Sequence, residues 1–278
     1  MPLVQAQPKK IRSANIHVIG LCNYRCEHCF DRCLTHKYLA PEEWMPVLNY
    51  LRDSGIEKVN IAGGEPFLYP HLDEMCILLK SMGFKVSIVS NGSKIREEWL
   101  ERMNKYVDWL GLSIDSPDEE DEILIGRNSR GNQHLENIRR VASAAHRNGI
   151  RVKINITAVR RSIGKDFRRF LESVSPDRVK VFRALTLKGA NDDIPDTWSV
   201  TDEQFAAFKE RHKDCPNIVF EDNDDMISSY LMFDPMGRWM VDSGGEKRFL
   251  PFDQLLRDGL ENEVDVSRYY GRNAVYDW

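Results

Sequence analysis

Apolar residues along this chain come in two patterns, short β-branched runs and longer stretches in which they recur every three or four positions. The short runs fall at 15–20 (NIHVIG), 58–62 (KVNIA), 84–89 (FKVSIV), 108–114 (DWLGLSI), 150–157 (IRVKINIT) and 178–184 (RVKVFRA) and read as strands. The longer stretches, 41–53, 70–82, 94–105, 132–148, 165–174 and 202–213, read as helices; in the first, Trp44, Val47, Leu48 and Leu51 share one face. Gly55, Gly83 and Gly149 stand where helix C-caps need a left-handed residue. Strands that alternate with helices predict an α/β fold with a parallel sheet, and right-handed crossovers bring every loop after a strand to one side. Six such units predict a partial (β/α)6 TIM-like barrel whose C-terminal rim carries the chemistry.

The pattern changes after about residue 215, where NIVFE, SYLMFD and RWMVD are followed by a helix near 251–259 and an aromatic, charged tail. The expected organisation is an N-terminal segment at 1–14, the barrel at 15–214 and an extension at 215–278 covering its mouth. Region 185–200 reads as a loop. At 278 residues, 42% hydrophobic and 29% charged, the chain is long enough for one large core. No apolar run approaches the roughly 20 residues of a membrane helix, and the opening segment has no signal-peptide core, so the expected location is the cytoplasm, without a membrane partner. A net charge of −4 gives no general attraction for nucleic acid, so an anionic ligand needs a local site.

Four of the six cysteines fall between positions 22 and 33, which in a reducing compartment favours metal or cluster ligation over disulfides. Cys22, Cys26 and Cys29 form a C-x-x-x-C-x-x-C loop after the first strand. A 4Fe-4S cluster normally takes four thiolates; three leave one iron open to a ligand with an amine and a carboxylate. A zinc site completed by Cys33 or His28 is the competing reading. Cys33 and Cys76 are expected to be structural, and His28 to be a solvated loop residue. After the second strand, Gly63 and Gly64 of AGGEPF allow close backbone approach beside Glu65. The third strand ends in Ser90, Asn91, Gly92 and Ser93, and the fourth in Ser113, Asp115 and Ser116. These polar groups suit a ribose and a carboxylate, with helix capping the alternative for Ser93 or Ser116.

The second, fifth and sixth strands place Lys58 and Asn60, Lys153 and Asn155, and Arg178 and Lys180 at alternating positions, with Val59, Ile61, Val152, Ile154, Val179 and Val181 between them. In a barrel the β-branched set packs outward on helices, so the cations point into the lumen. Buried, unpaired ammonium groups are costly, and a strongly anionic occupant such as a nucleoside triphosphate is expected there.

The cysteine loop with Phe30 beside its third cysteine, followed one unit later by GGEP, resembles the radical SAM superfamily. CNYRCEHCF, EKVNIAGGEPF, VSIVSNGS with IREEW, IGR at 125–127, VKIN at 152–155, RVKVF at 178–182, ERHK at 210–213, SYLMFD at 229–234 and the final Asp277-Trp278 resemble the viperin family within it. That resemblance implies a barrel of the radical SAM type, a 4Fe-4S cluster on Cys22, Cys26 and Cys29, and S-adenosylmethionine held near Phe30, Gly63, Gly64, Glu65, Ser90, Asn91, Ser113 and Arg127, the last contacting the cofactor carboxylate or a phosphate. It implies an antiviral enzyme, a lyase that converts a ribonucleoside triphosphate, CTP in animals, into its 3'-deoxy-3',4'-didehydro analogue. The 5'-deoxyadenosyl radical takes the ribose 4' hydrogen, the 3' hydroxyl leaves as water, and an electron and a proton are taken up. Lys58, Lys153, Arg178 and Lys180 would hold phosphates and ribose, Asn155 would assist, and Lys180 or Tyr230 would protonate the departing hydroxyl. An electron donor such as flavodoxin or ferredoxin is implied. Departures from the animal members are the missing amphipathic anchor before Ile16, Ala62 in place of serine, a different NSRGNQ loop at 128–133 and a shorter, less basic tail; they leave CTP, UTP and GTP open. Rival readings are peptide modification or GTP cyclisation by a radical SAM enzyme, and a non-catalytic zinc-binding protein. Peptide modifiers carry further cysteine clusters near the C-terminus, whereas only Cys215 follows position 76 here.

Overall fold

The computed structural model describes residues 10–127, 133–260 and 263–278. Its elements run β1 (Ser13–His17), α1 (Met45–Asp53), β2 (Lys58–Ala62), α2 (Leu72–Ser81), β3 (Lys85–Ser90), α3 (Glu97–Met103), β4 (Trp109–Ile114), α4 (Glu119–Ile125), α5 (His134–Arg147), β5 (Arg151–Ala158), α6 (Arg168–Val174), β6 (Arg178–Arg183), α7 (Pro195–Trp198), α8 (Asp202–His212), β7 (Ile218–Glu221), α9 (Asn223–Met226), β8 (Met232–Phe233), β9 (Trp239–Val241), β10 (Arg248–Leu250), α10 (Phe252–Asp258) and α11 (Val266–Gly271). All strands belong to one sheet ordered β10-β9-β8-β1-β2-β3-β4-β5-β6-β7. β8 and β1 through β7 pair in parallel, and β9 and β10 add an antiparallel edge.

The six predicted βα strands are all present, within three residues of their expected limits. The outward alternation is also as read. Ile16, Val59, Ile61, Val86, Ile88, Leu110, Leu112, Val152, Ile154, Val179 and Val181 are buried in one core with the helices, each contributing on the order of 1.5–3 kcal/mol by leaving water. Gly55, Gly83 and Gly149 have φ of 78, 90 and 72° just beyond α1, α2 and α5, the caps the pattern called for.

Three features depart from the sequence reading. The acidic segment 119–125 forms α4, which its lack of a full apolar stripe concealed; four of its first residues are acidic, favourable at a helix N-terminus. The segment 185–200 is not all loop, since Pro195 starts a short helix. Residues beyond 215 line the cavity and also build sheet. They add β7 beside β6 and β8 beside β1, so both edges of the six-stranded sheet are extended by the same C-terminal segment. Short apolar runs such as NIVFE do not declare which edge they will join. The loop contrasted with animal sequences, at 128–133, lies outside the described residues except for Gln133.

Candidate active site

The inward residues of the parallel strands converge on one cavity. Its wall includes Asn15 and His17 of β1, Lys58 and Asn60 of β2, Ser113 of β4, Lys153 and Asn155 of β5, and Arg178 and Lys180 of β6. Cys22, Cys26, Cys29 and Phe30 reach the same space, as do Gly63, Gly64, Ser90, Asn91 and Arg127. From the extension come Tyr230, Asp242, Lys247, Arg272 and Tyr276.

Backbone packing holds the cysteine loop. Gly64 and Glu65 donate their amide N–H groups to the carbonyls of Ile19 (2.6 Å) and Leu21 (2.9 Å). A Cβ on Gly63 or Gly64 would collide with those carbonyls, and Gly63 has a φ of 140°. The paired glycines therefore let this loop lie against the cysteine loop, where the sequence reading had placed a ligand. Gly126 works the same way from the end of α4: at φ 86° it accepts a hydrogen bond from the Arg25 N–H at 3.0 Å, and a Cβ there would strike the Arg25 carbonyl. The loop after β3 completes the frame, with the Asn91 Nδ2 donating to Asn23 Oδ1 at 3.0 Å and Asn23 Nδ2 to Ser93 Oγ at 2.9 Å. Ser93 therefore caps no helix.

Glu65 is fully buried beneath the lining rather than on it. Its carboxylate accepts from the N–H groups of Phe67 (3.1 Å) and Asn91 (2.9 Å) and from Ser90 Oγ (2.8 Å). Burial nonetheless leaves its pKa raised against those donors. Asp115 is likewise engaged. It pairs with Arg127 and lies 3.4 Å from His28 Nε2, and it accepts the Thr157 N–H at 3.0 Å. Burial pushes the Asp115 carboxyl up, but Arg127 and His28 outweigh it and the net shift is downward. His28 is thus a buried residue, not a solvated one, and burial lowers its pKa to about 4. A tight turn around a buried carboxylate gave no periodic signal from which to read this. Glu122 of α4, missed from sequence, accepts the N–H groups of Asp115 (2.7 Å) and Ser116, and burial with Asp115 nearby pushes its pKa well up. Cys33, expected to be a buried structural thiol, is exposed, whereas Cys76 is buried as expected.

The opposite end of the cavity is cationic. Lys58, Lys153 and Lys180 are each less than a tenth exposed. Burial pushes the Lys153 ammonium down to about 8, with Arg178 adding repulsion. It pushes Lys180 to about 7 against the pull of Glu221, and Lys58 well below its ordinary range, with Lys153, Lys180 and Arg178 contributing. Gly111 of β4 makes room for Lys153 and Asn155, since a Cβ there would lie 3.2 Å from Lys153 Cε and from Asn155 Nδ2. The tail closes this end: Lys58 Nζ donates to Tyr276 Oη at 2.7 Å and sits 4.4 Å from the Trp278 ring, while Arg178 lies 4.0 Å over the Tyr276 ring. Glu221, Arg272 and Tyr276 escaped the sequence reading; Glu221 ends the short NIVFE run without a signal, and that of Arg272 and Tyr276 was the aromatic, charged composition of the tail.

Several cavity atoms want a partner. Asn60 Oδ1, Asn155 Oδ1 and Arg178 Nε are buried without a hydrogen bond, a pattern expected of groups that meet a polar ligand. The thiols fit a cluster. Burial raises the pKa of Cys22, and of Cys29 to about 12, so all are poised to ionise only beside a cation. The Tyr24 N–H donates to Cys22 Sγ at 3.4 Å. Among the described residues no three His, Cys, Asp or Glu side chains gather closely enough to enclose one metal ion.

Residues 16–174 match the model of the Radical SAM superfamily. By fold and by site the chain is a radical SAM protein, and its cofactors are a 4Fe-4S cluster and S-adenosylmethionine. A protein of Thermoplasmatales archaeon (strain ISO4-H5) named S-adenosylmethionine-dependent nucleotide dehydratase is 67% identical over 270 residues, 97% of each chain. S-adenosylmethionine-dependent nucleotide dehydratase RSAD2 of Oncorhynchus mykiss is 33% identical over 281 residues, 96% of this chain and 80% of its own. The crystal structure of Streptococcus suis SuiB shares the fold at a TM-score of 0.67 and 17% identity, over 96% of this chain and 68% of its own. Within the superfamily the chain belongs to the S-adenosylmethionine-dependent nucleotide dehydratases. Among the described residues no helix is long and apolar enough to cross a membrane.

Proposed function

We propose that this enzyme removes water from a ribonucleoside triphosphate, CTP first among the candidates, to give the 3'-deoxy-3',4'-didehydro nucleotide. One observation carries the reading: Lys58, Lys153, Arg178 and Lys180 face the same cavity as the three cysteines, with burial depressing each cation. A polyphosphate relieves that repulsion, which an uncharged substrate would not.

Lys58, Lys153 and Arg178 bind the phosphates in this reading, and Asn155, with its unpartnered oxygen, meets the ribose. Cys22, Cys26 and Cys29 are the thiolate ligands, while Phe30, Gly63, Gly64, Ser90, Asn91, Ser113 and Arg127 wall the cofactor. Glu65 shapes that wall from behind. When bound, the cluster and S-adenosylmethionine supply the radical that removes the 4' hydrogen. The protein's contribution is to hold the ribose in register and keep water away from it. A low-potential carrier of the flavodoxin or ferredoxin class supplies the electrons.

Anaerobically reconstituted protein, incubated with S-adenosylmethionine, dithionite and each nucleoside triphosphate in turn, tests this. The expected products are deoxyadenosine and a nucleotide lighter by one water, fastest from CTP. Deoxyadenosine formed at one unchanged rate with every nucleotide, and no dehydrated product, would overturn it.

A further inference from the structure

One carboxylate behind the cavity wall organises the two side chains that could protonate the substrate. Glu221, at the end of β7, is fully buried and does not reach the cavity, whereas Lys180, Tyr230 and Arg272 do. Its Oε1 lies 2.5 Å from Lys180 Nζ and 3.4 Å from Arg272 Nη1. Its Oε2 accepts the Tyr230 hydroxyl. Lys180 Nζ also reaches Tyr230 Oη at 2.9 Å, and the Arg272 guanidinium stacks 3.6 Å from the Tyr230 ring.

Donor counting fixes the direction of each bond. An ionised carboxylate only accepts and an ammonium only donates. Burial pushes the Glu221 carboxyl up, but Lys180 and Arg272 outweigh it, so it is ionised. The single phenolic hydrogen of Tyr230 therefore points at Glu221, away from the cavity, and its oxygen accepts from Lys180. Of the three N–H groups of Lys180, one goes to Glu221 and one to Tyr230. The third is left for the cavity.

We infer that Glu221 is a positioning residue that turns the Tyr230 hydrogen away from the substrate and makes Lys180 the proton donor to the departing 3' hydroxyl. The inference rests on the dehydratase reading above. The step starts from the sugar radical. The C3'–O bond breaks with its electron pair on oxygen, and the Lys180 N–H bond breaks with its pair on nitrogen. The proton completes a water molecule and Lys180 is left as a neutral amine. The remaining sugar, a radical cation, takes one electron from the low-potential carrier and closes the C3'–C4' double bond. Acidities agree with this division. Lys180 is brought by burial, against Glu221, to about 7, near the optimum for an acid at neutral pH. Burial drives Tyr230 well above its ordinary range, with Glu221 adding to it against Arg272.

The test is the pH dependence of Glu221→Gln. The groups facing Lys180 are Glu221 and Tyr230, Arg272 of the tail, Lys153 of β5 and Lys58 of β2, and Glu221 is the one carboxylate among them. Rate falls as pH rises through the acidity of Lys180. Removing the anion moves that alkaline limb down by about one pH unit, lowers kcat roughly 100-fold and changes KM for the nucleotide little; Glu221→Asp restores the limb in part. NMR titration of labelled lysine without cofactors shows the same downward move. Lys180→Ala yields deoxyadenosine without dehydrated nucleotide, while Tyr230→Phe keeps the two products coupled. An unmoved limb and lysine titration in Glu221→Gln, or uncoupling in Tyr230→Phe equal to that of Lys180→Ala, overturns the inference. Should Glu221→Gln fail to fold, the Tyr230→Phe coupling ratio decides alone. If wild-type protein dehydrates no nucleotide, the dehydratase reading fails, and the lysine titration still decides whether Glu221 positions Lys180.

Discussion

Replacing Lys153 by methionine separates what this cavity does for binding from what it costs the fold. Lys153 projects from β5 over the bare backbone of Gly111 into the cavity, and methionine keeps most of its stem. Burial and the adjacent Arg178 bring its ammonium from 10.5 to about 8. At about 1.4 kcal/mol per tenfold change in proton affinity, the charged form destabilises the empty protein by on the order of 3 kcal/mol. The sign follows from proton counts. Between the folded and unfolded values the unfolded chain binds more protons, so the penalty is complete below about pH 8 and disappears as pH rises towards 10.5. Lys153→Met should therefore raise Tm of the empty protein at pH 7 by roughly 6 °C, and the gain should fade in melts at the alkaline end. Binding goes the other way. Losing one charge-assisted contact to a phosphate costs about 1.5–3 kcal/mol, or roughly 10- to 150-fold in Kd for the nucleoside triphosphate by calorimetry. Stability and affinity moving in the same direction, or an unchanged Kd, would refute the assignment of this cation to an anionic ligand.

Cys22→Ala should leave a folded protein that binds little iron and sulfide after reconstitution, read by metal analysis and the loss of brown absorbance. Gly126→Ala forces a side chain into the Arg25 carbonyl at a φ of 86°, so a loss of on the order of 1–3 kcal/mol in denaturant melts is expected, together with poor cluster incorporation. Asp115→Asn leaves Arg127 buried without its counter-charge, costing about 3–5 kcal/mol by urea unfolding and weakening S-adenosylmethionine binding. The wild-type contribution of Asp115, whose pKa in the folded protein is below the ordinary value, is present at neutral pH and lost on acidification, which acid melts of the two proteins should show.

The inward and outward sets of β2, β5 and β6 were legible from alternation because a strand has a strict period of two, so one misassigned face would have put Val59 and Ile61 in the cavity. The cysteine loop was legible from spacing. What sequence did not disclose were groups whose role depends on contacts between distant segments. Glu122 and Asp115 meet across a turn, Glu221 lies on β7 beside β6, and Arg272 reaches Tyr230 from 42 positions away along the chain. Such buried carboxylates look like surface charge in one dimension, since nothing local distinguishes Glu221 from its neighbour Asp222. His28 was misread for the same reason, its partner Asp115 being supplied by the loop after β4.

The residues that line the cavity come from both sides of the point where the superfamily match ends. The superfamily match ends at residue 174 and includes the cysteines, the paired glycines, Arg127, Lys58 and Lys153. Arg178, Lys180, Glu221, Tyr230, Arg272 and Tyr276 all come later. The later segment contributes both β7 and β8, the strands at the two open edges of the parallel sheet, and from it Tyr230 and Arg272 reach the cavity. Tyr230 and Arg272 line the cavity from beyond the superfamily match, while the cysteine loop lies within it. Exchanging 222–278 between two nucleotide dehydratases that prefer different bases should accordingly move base preference with the exchanged segment while iron content and deoxyadenosine formation stay with the barrel. Preference that stayed with residues 10–174 would place the selection of base among the cofactor loops instead.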